Sequence, residues 1–363
     1  MIDERRLSAH LDWPLVGALL ALTLIGLATI YSVKFESQPY VFWTQVYAIP
    51  AGLIAMFVCL SIDYRTLAQR SLILYGLLIV ALLAVMFFGV KRNGATRWLD
   101  LGPVNLQPSE FARMVIALVL AMIYGDSRRR GRSIFEWTTG AILVAIPTLL
   151  IFRQPDFGTT VTLVAVFLGV IFVAGLPMRT LTIAAVIAVA LSPVVYKYGL
   201  KEYQRARILN AFNPGKDAKG EGYQQIQARI AVGSGGLVGK GYGEGTQGGY
   251  GFLPVAHNDF VFSVLAEEWG FIGVLGALAL YLFVILRSLE AAKLARDRVG
   301  AFLVVAIMSG FMVQVVYNIT MSAGMAPVKG ITLPLMSYGG SSLVATLAGF
   351  GLILNVRMRR FAN

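Results

Sequence analysis

Ten apolar segments recur along this chain, near residues 13–32, 41–60, 71–90, 109–124, 137–152, 159–176, 180–196, 260–286, 300–321 and 340–356. A helix needs about 20 mostly apolar residues to cross ~30 Å of hydrocarbon. The pattern therefore predicts an all-α polytopic membrane protein with ten transmembrane helices, a single integral membrane domain over residues 1–363. Composition agrees: 57% of the 363 residues are hydrophobic and 14% are charged, against an apolar share of roughly 45–50% in soluble domains. Cys59 is the only cysteine and lies in an apolar run, which excludes an intrachain disulfide and a cysteine-based metal site. The opening MIDERRLSAH is charged and leads into about 20 apolar residues with no small-residue cleavage site, so it reads as the start of an uncleaved first helix.

An even number of spans puts both termini on one side, and the Lys/Arg bias of short loops decides which. With the N-terminus inside, the inner segments carry sixteen basic residues, among them Arg65, Arg70, Arg128, Arg129, Arg130, Arg179, Arg287 and Arg357, and the short outer loops carry six. Both termini are thus expected in the cytoplasm. The net charge of +12 reads as this orientation signal plus affinity for anionic lipid heads. The basic residues are dispersed without an aromatic-interleaved stripe, so no nucleic-acid partner is expected.

The segment 197–259 is the exception, a large extracytoplasmic loop within the membrane domain. YQRARILNAF (203–212) and YQQIQARIAV (223–232) space their apolar residues as short interfacial helices would, with Asn213-Pro214-Gly215 as the turn between them. Ten glycines then fall between Val232 and Phe252. A Walker A loop fails here twice, because Ser234 stands where glycine is required and Gly241 follows Lys240. Gly243-x-Gly245-x-x-Gly248 fits a dinucleotide pattern but lacks the strand and helix that give the pattern meaning. Two readings stay open: a turn-rich loop, or a backbone stripped of side chains so that it can approach a bulky ligand.

Charges inside or beside spans are costly and are functional candidates by default. Glu110 and Arg113 lie three apart at the start of the fourth span and share a helix face. Arg153 and Asp156 occupy the outer turn between spans five and six, Asp259 begins span eight, and Lys329 precedes span ten. All fall on the outer side. Plainer roles compete: Glu110–Arg113 or Arg113–Asp156 as ion pairs locking helices, and Asp259 as a helix N-cap.

Long blocks of these residues, RWLDLGPVNLQPSEFAR (97–113), RQPDFGT (153–159), FLPVAHNDFVFSVLAEEWG (252–270) and PLMSYGGSS (334–342), resemble the signature blocks of the SEDS family, which includes RodA, FtsW and SpoVE. The likeness runs in order along nearly the whole chain. It implies a peptidoglycan glycosyltransferase polymerising lipid II at the outer face of the bacterial cytoplasmic membrane, beside a class B penicillin-binding protein, a single-pass transpeptidase. GKGYGEGTQ is similar to the elongation-type RodA, whereas VKGITLPLMSYGGSS with Lys329 looks more like the division-type FtsW; RodA is the favoured subtype. Two positions depart from the family pattern: Asn258 stands where threonine is usual, and Arg113 where lysine is usual. Arginine keeps the charge but never deprotonates.

Sugar transfer of this kind needs a base for the attacking hydroxyl and positive charge or a metal for the departing diphosphate. The resemblance assigns the essential aspartate to Asp259, as base or as ligand of a divalent cation, magnesium or manganese. Arg113, Arg153 and Lys329 are candidates to steady the diphosphate. Glu110 and Asp156 would orient those cations, and His257 would hydrogen-bond substrate. The rival reading is a transporter that flips lipid II; it calls for polar residues deep in the spans. A third class is a scaffold that only anchors its partner.

Overall fold

The computed structural model describes residues 11–92, 95–100, 102, 105–126, 134–199, 205 and 220–361. It is almost entirely helical. The elements in chain order are α1 (Trp13–Lys34), α2 (Pro39–Ser61), α3 (Tyr64–Gln69), α4 (Ser71–Phe88), β1 (Val90–Arg92), β2 (Ala95–Asp100), β3 (Asn105–Leu106), α5 (Pro108–Asp126), α6 (Ile134–Arg153), α7 (Phe157–Val173), α8 (Met178–Val194), α9 (Glu221–Ser234), α10 (Thr246–Gly249), α11 (Val261–Lys293), α12 (Arg298–Ser322) and α13 (Gly340–Met358). Among the described residues eight helices, α1, α2, α4, α5, α6, α11, α12 and α13, are long and apolar enough to cross a membrane. The sixth and seventh predicted spans correspond to α7 and α8, of 17 residues each. The predicted interfacial helix at 223–232 lies within α9; the one at 203–212 falls, apart from Arg205, outside the described residues.

Helix α13 sits at the centre. Nearly every residue from Leu343 to Met358 is buried, as expected of a helix apolar all round and wrapped by others. It packs most closely along α2, and α12 lies against α5, α7 and α11. The outer helices α4, α6 and α11 turn Phe87, Leu149 and Leu282 outward, a side-chain choice that suits hydrocarbon and not water. At the end of the bundle where α1 begins, the Asp12 carboxylate accepts from Arg287 and Arg357 at 2.9 Å each, and Arg65 pairs with Asp297 at 2.6 Å.

Two features correct the all-α expectation. Between α4 and α5 the chain forms a three-stranded antiparallel sheet in the order β1-β2-β3, with Val90 opposite Trp98 and Leu99 opposite Leu106. Valine, threonine, tryptophan and leucine are gathered here over a stretch too short for a span, a composition that suits strands. The other correction is in the eighth span, which is one element only in outline. At Gly270 the backbone leaves the helix (φ 65°, ψ −163°), and the glycine-rich segment enters the gap. The amides of Lys240 and Gly241 donate to the carbonyls of Glu267 and Glu268, while those of Phe271 and Ile272 donate to Gly236 and Leu237. The segment thus caps the carboxyl end of one half-helix and the amino end of the other, satisfying groups that a helix break would strand. A Cβ on Gly239 would overlap the Glu268 carbonyl, and one on Gly270 would overlap the Gly239 amide. The glycines let backbone approach backbone, and the run is a turn-rich segment packed against α11.

Candidate functional site

Asp259 is the last residue but one before α11, at the end of a turn-rich segment that starts after α10. That segment is folded by local bonds: the amides of Asn258 and Asp259 donate to the Val255 carbonyl at 3.0 and 3.2 Å. Val255 itself has φ 53°, a left-handed conformation that costs a β-branched residue of order 1–3 kcal/mol and persists only where surroundings impose it. The imposing contacts are visible. Phe260 is fully buried, the Tyr338 amide donates to the His257 carbonyl at 2.9 Å, and Asn318 Nδ2 on α12 donates to the Asp259 carbonyl at 2.8 Å. The N-cap of α11 is Phe260, and no side chain caps it, so Asp259 is not the helix cap that its position suggested. Among the described residues its carboxylate accepts no hydrogen bond.

A second wall comes from residues 325–339, which connect α12 and α13 without regular structure and yet bury Ile331, Leu333, Leu335 and Met336. Irregular backbone inside a bundle needs side-chain partners, and it has them. Asn318 Nδ2 also donates to the Ile331 carbonyl at 2.7 Å, Tyr281 Oη to the Pro334 carbonyl at 2.6 Å, and Gln45 bonds both Ser337 and Gly339. Gly330 lies beside the Asp259 carboxylate: a Cβ there would sit 3.7 Å from Asp259 Oδ2. The Lys329 ammonium is 5.4 Å from the Phe157 ring centroid.

The third wall is the turn into α7. Asp156 caps that helix, accepting from the Thr159 amide at 3.3 Å, and its other oxygen takes the hydroxyls of Thr159 and Ser109 and the amide of Gln107 at 3.0 Å each. Arg97, on β2, lies 3.8 Å from Asp156 and donates to the carbonyls of Gln154 and Pro155. Gly158 abuts Gly330 and Ile331, so the turn and the 325–339 segment are in contact.

Electrostatics follow from this packing. Burial pushes the Asp259 carboxyl up from 3.8 to about 6, and Arg97 pulls it the other way. Burial, aided by Lys34, lowers His257 to about 4. At neutral pH the site therefore holds an ionised Asp259 able to accept a proton and a neutral imidazole. The His257 ring packs on Tyr338, and its Nδ1, like the neighbouring Asn258 Oδ1, is buried without a hydrogen-bond partner among the described residues. An orphaned amide oxygen such as Asn258 Oδ1, next in the chain to a carboxylate, suits a hard cation, which an imidazole nitrogen does not. Among the described residues no group of three or more His, Cys, Asp or Glu could cage a metal, so such a cation would depend on substrate oxygens for the rest of its shell.

Of the seven residues singled out in the sequence, Asp259, His257, Lys329 and Asp156 gather here. Glu110 and Arg113 do not. They form an ion pair at 2.5 Å within the bundle, where Arg113 Nη1 also donates to Gln314 Oε1 on α12. That pair lines a cavity of about 30 Å³ with Phe311 and Phe350, room for a water. Arg113 does not reach Asp156, whose cation is Arg97. Arg153 is the exposed last residue of α6 and makes no hydrogen bond or ion pair with Asp156 or Asp259. Sequence reasoning missed Arg97, which opens the 97–113 block without marking itself as a site residue, and Asn318, an amide inside an apolar span. The second had a signal, since a polar side chain within a span is itself conspicuous.

Comparison with known proteins places this arrangement among relatives. A family model described as "Cell cycle protein", for FtsW, RodA and SpoVE, matches residues 11–361. The chain is 38% identical over 351 residues to the peptidoglycan glycosyltransferase MrdB of Escherichia coli K12, covering 97% of this chain and 94% of that one. It is 37% identical over 352 residues to a probable peptidoglycan glycosyltransferase FtsW of Geobacter metallireducens, covering 93% and 92%. Among solved structures it resembles the rod shape determining protein RodA of Thermus thermophilus (TM-score 0.74, 31% identity, 97% and 98% coverage). It also resembles a chain solved in work on "structural coordination of polymerization and crosslinking by a peptidoglycan synthase complex" (TM-score 0.85, 33% identity, 97% and 99% coverage).

Proposed function

The chain belongs to the FtsW/RodA/SpoVE family, and from that premise we infer that it is a peptidoglycan glycosyltransferase of the RodA type, joining lipid II units into glycan strands for cell elongation. The observation that carries the mechanism is an ionisable carboxylate, Asp259, half-buried beside Gly330, within the field of Arg97 and free of structural hydrogen bonds. In the reaction a sugar hydroxyl of the acceptor attacks the anomeric carbon of the donor. The new C–O bond forms as the bond to the lipid diphosphate breaks; the hydroxyl proton passes to the Asp259 carboxylate and the electron pair leaves with the diphosphate. Arg97 and Lys329 stand where negative charge develops. Asp156 acts at one remove, orienting Arg97, and neutral His257 can donate or accept one hydrogen bond to substrate. Glu110 and Arg113 hold α5 to α12. A divalent cation, magnesium or manganese, would be held by Asp259, Asn258 Oδ1 and substrate oxygens, and would supply further positive charge at the diphosphate.

Helices α7 and α8, at the short end of the spanning range, complete a set of ten spans with both termini cytoplasmic. The basic cluster of Arg65, Arg287 and Arg357 at the Asp12 end supports that orientation, and it turns Asp259 outward, where sugars meet water while their lipid stays in the bilayer. The partner is a class B penicillin-binding protein that cross-links the strands. Purified protein given labelled lipid II, a divalent cation and such a partner should yield long strands on a gel, and Asp259→Ala should abolish them without unfolding the protein. Full polymerisation by Asp259→Ala would reject the role given to this residue, and absence of strands from wild type would reject the enzyme.

A further inference from the structure

A cavity of about 430 Å³ lies apart from Asp259, between the end of α1 and the segment 242–250. Its volume falls in the range of ligand sites, about 300–1,000 Å³. Tyr31, Phe35, Tyr242 and Tyr250 line it together with Glu36 and Glu244, and no Lys or Arg is among its lining residues. From that chemistry we propose that this pocket is a carbohydrate subsite that holds the glycan strand behind its reacting end. The proposal rests on the polymerase function inferred above.

The lining selects for sugar. Aromatic faces offer flat apolar surface to the C–H faces of a pyranose ring while their hydroxyls stay polar, and carboxylates accept hydrogen bonds from sugar hydroxyls. A diphosphate is disfavoured by two acidic side chains without a cation, in contrast to the Asp259 site with Arg97 and Lys329. The walls are fixed in advance, which lowers the entropy cost of binding. The rings of Tyr31 and Phe35 stack at 4.4 Å, and Tyr242 Oη donates to the Ala28 carbonyl at 2.9 Å, tying the loop to α1. Below it, the amides of Thr246 and Gln247 donate to the buried Glu267.

A further acidic group sits directly behind the wall. Glu268 is 3% exposed; Ser32 Oγ and the Gly243 amide, both of residues that line the cavity, donate to it. Its Oε2 has no hydrogen-bond partner among the described residues. A buried carboxylate oxygen left unbonded is expensive, and it adds acidic character behind the Ser32 and Gly243 wall. The pocket also adjoins the reaction centre along the chain. Gly248 packs between Val33 and Val264, and the Leu253 amide donates to the Gln247 carbonyl at 2.9 Å, so one short stretch leads from the cavity to Asp259.

The test uses full-length protein in detergent, with Glu244→Gln and Tyr250→Ala, both at exposed positions where folding is not at stake. The probe is a soluble, peptide-free glycan of two to four disaccharides. Saturation-transfer NMR should show wild type passing magnetisation to sugar-ring protons, and the double variant doing so at least threefold less. In polymerisation, strands compared after equal lipid II consumption should be at least twofold shorter for the variant. No transfer in wild type, or unchanged transfer and strand length in the variant, overturns the subsite. Protein that binds the probe but makes no strands from lipid II would instead overturn the polymerase reading and leave the sugar site standing.

Discussion

Replacing Asp259 by asparagine should stabilise the protein while abolishing its activity, and both effects should depend on pH. The carboxyl ionises at about 6 in the folded chain against 3.8 for an ordinary aspartate, which corresponds to about 3 kcal/mol by which folding disfavours the charge. An acid whose folded value is raised contributes stability below its unfolded value and loses it as pH climbs through the folded one. Above pH 6 the native protein therefore carries the full cost, and below about pH 4 it carries none. Thermal unfolding of Asp259→Asn in detergent at pH 8 should occur a few degrees above wild type, with the gap closing at pH 4. The same carboxylate must be ionised to accept a proton, so wild-type polymerisation should rise about tenfold between pH 5 and pH 7, with its midpoint near 6. A destabilised Asp259→Asn at pH 8, a gain that persists at pH 4, or a flat rate profile across this range would refute the assignment.

Other substitutions probe the surroundings. Arg97→Gln removes the cation that draws the Asp259 value down, so the midpoint of the rate profile should move to higher pH; a move downward contradicts the geometry. Arg113→Met leaves Glu110 unpaired inside the bundle and should cost about 3–5 kcal/mol, measured by thermal unfolding, whereas adding Glu110→Gln should recover most of the loss. Gly270→Ala introduces a side chain at φ 65°, ψ −163° that overlaps the Gly239 backbone; this region is essentially closed to other residues and the conformation alone costs of order 1–3 kcal/mol, so folded yield by size exclusion should collapse. Gly17→Ala, where an added Cβ meets nothing within 4 Å, should leave that yield unchanged.

Length and hydrophobicity made most of the helices legible, because spanning a bilayer demands both and little else imitates them. The outer cluster was legible in part. Asp259 stood out as a lone carboxylate at the edge of a span, and Asp156 as a charge in a tight turn. What the sequence hid was pairing. Arg113 could have joined Glu110 or Asp156, and only the placement of Gln314 on α12 and Arg97 on β2 decides between them. The sheet escaped because strands of two to six residues carry too little periodicity to stand out. The break at Gly270 escaped because the apolar residues resume at Trp269 and run on through Phe271 and Ile272, so Glu267 and Glu268 pass as charges near a span's end while φ changes sign. Asn318 escaped because it bears no charge, although its two amide protons hold together both segments that enclose Asp259.

The interruption of α11 has a mechanical consequence. A continuous rod of 33 residues, about 50 Å long, would tilt as one body whenever the bilayer thinned or thickened around it, and its tip would swing by several ångströms. Here the stub from Val261 to Trp269 meets the shaft at a glycine break, and the glycine-rich segment bonds to both sides of it. The two halves can therefore hold different tilts while their junction stays fixed, so a change in bilayer thickness felt along the shaft is damped before it reaches the stub.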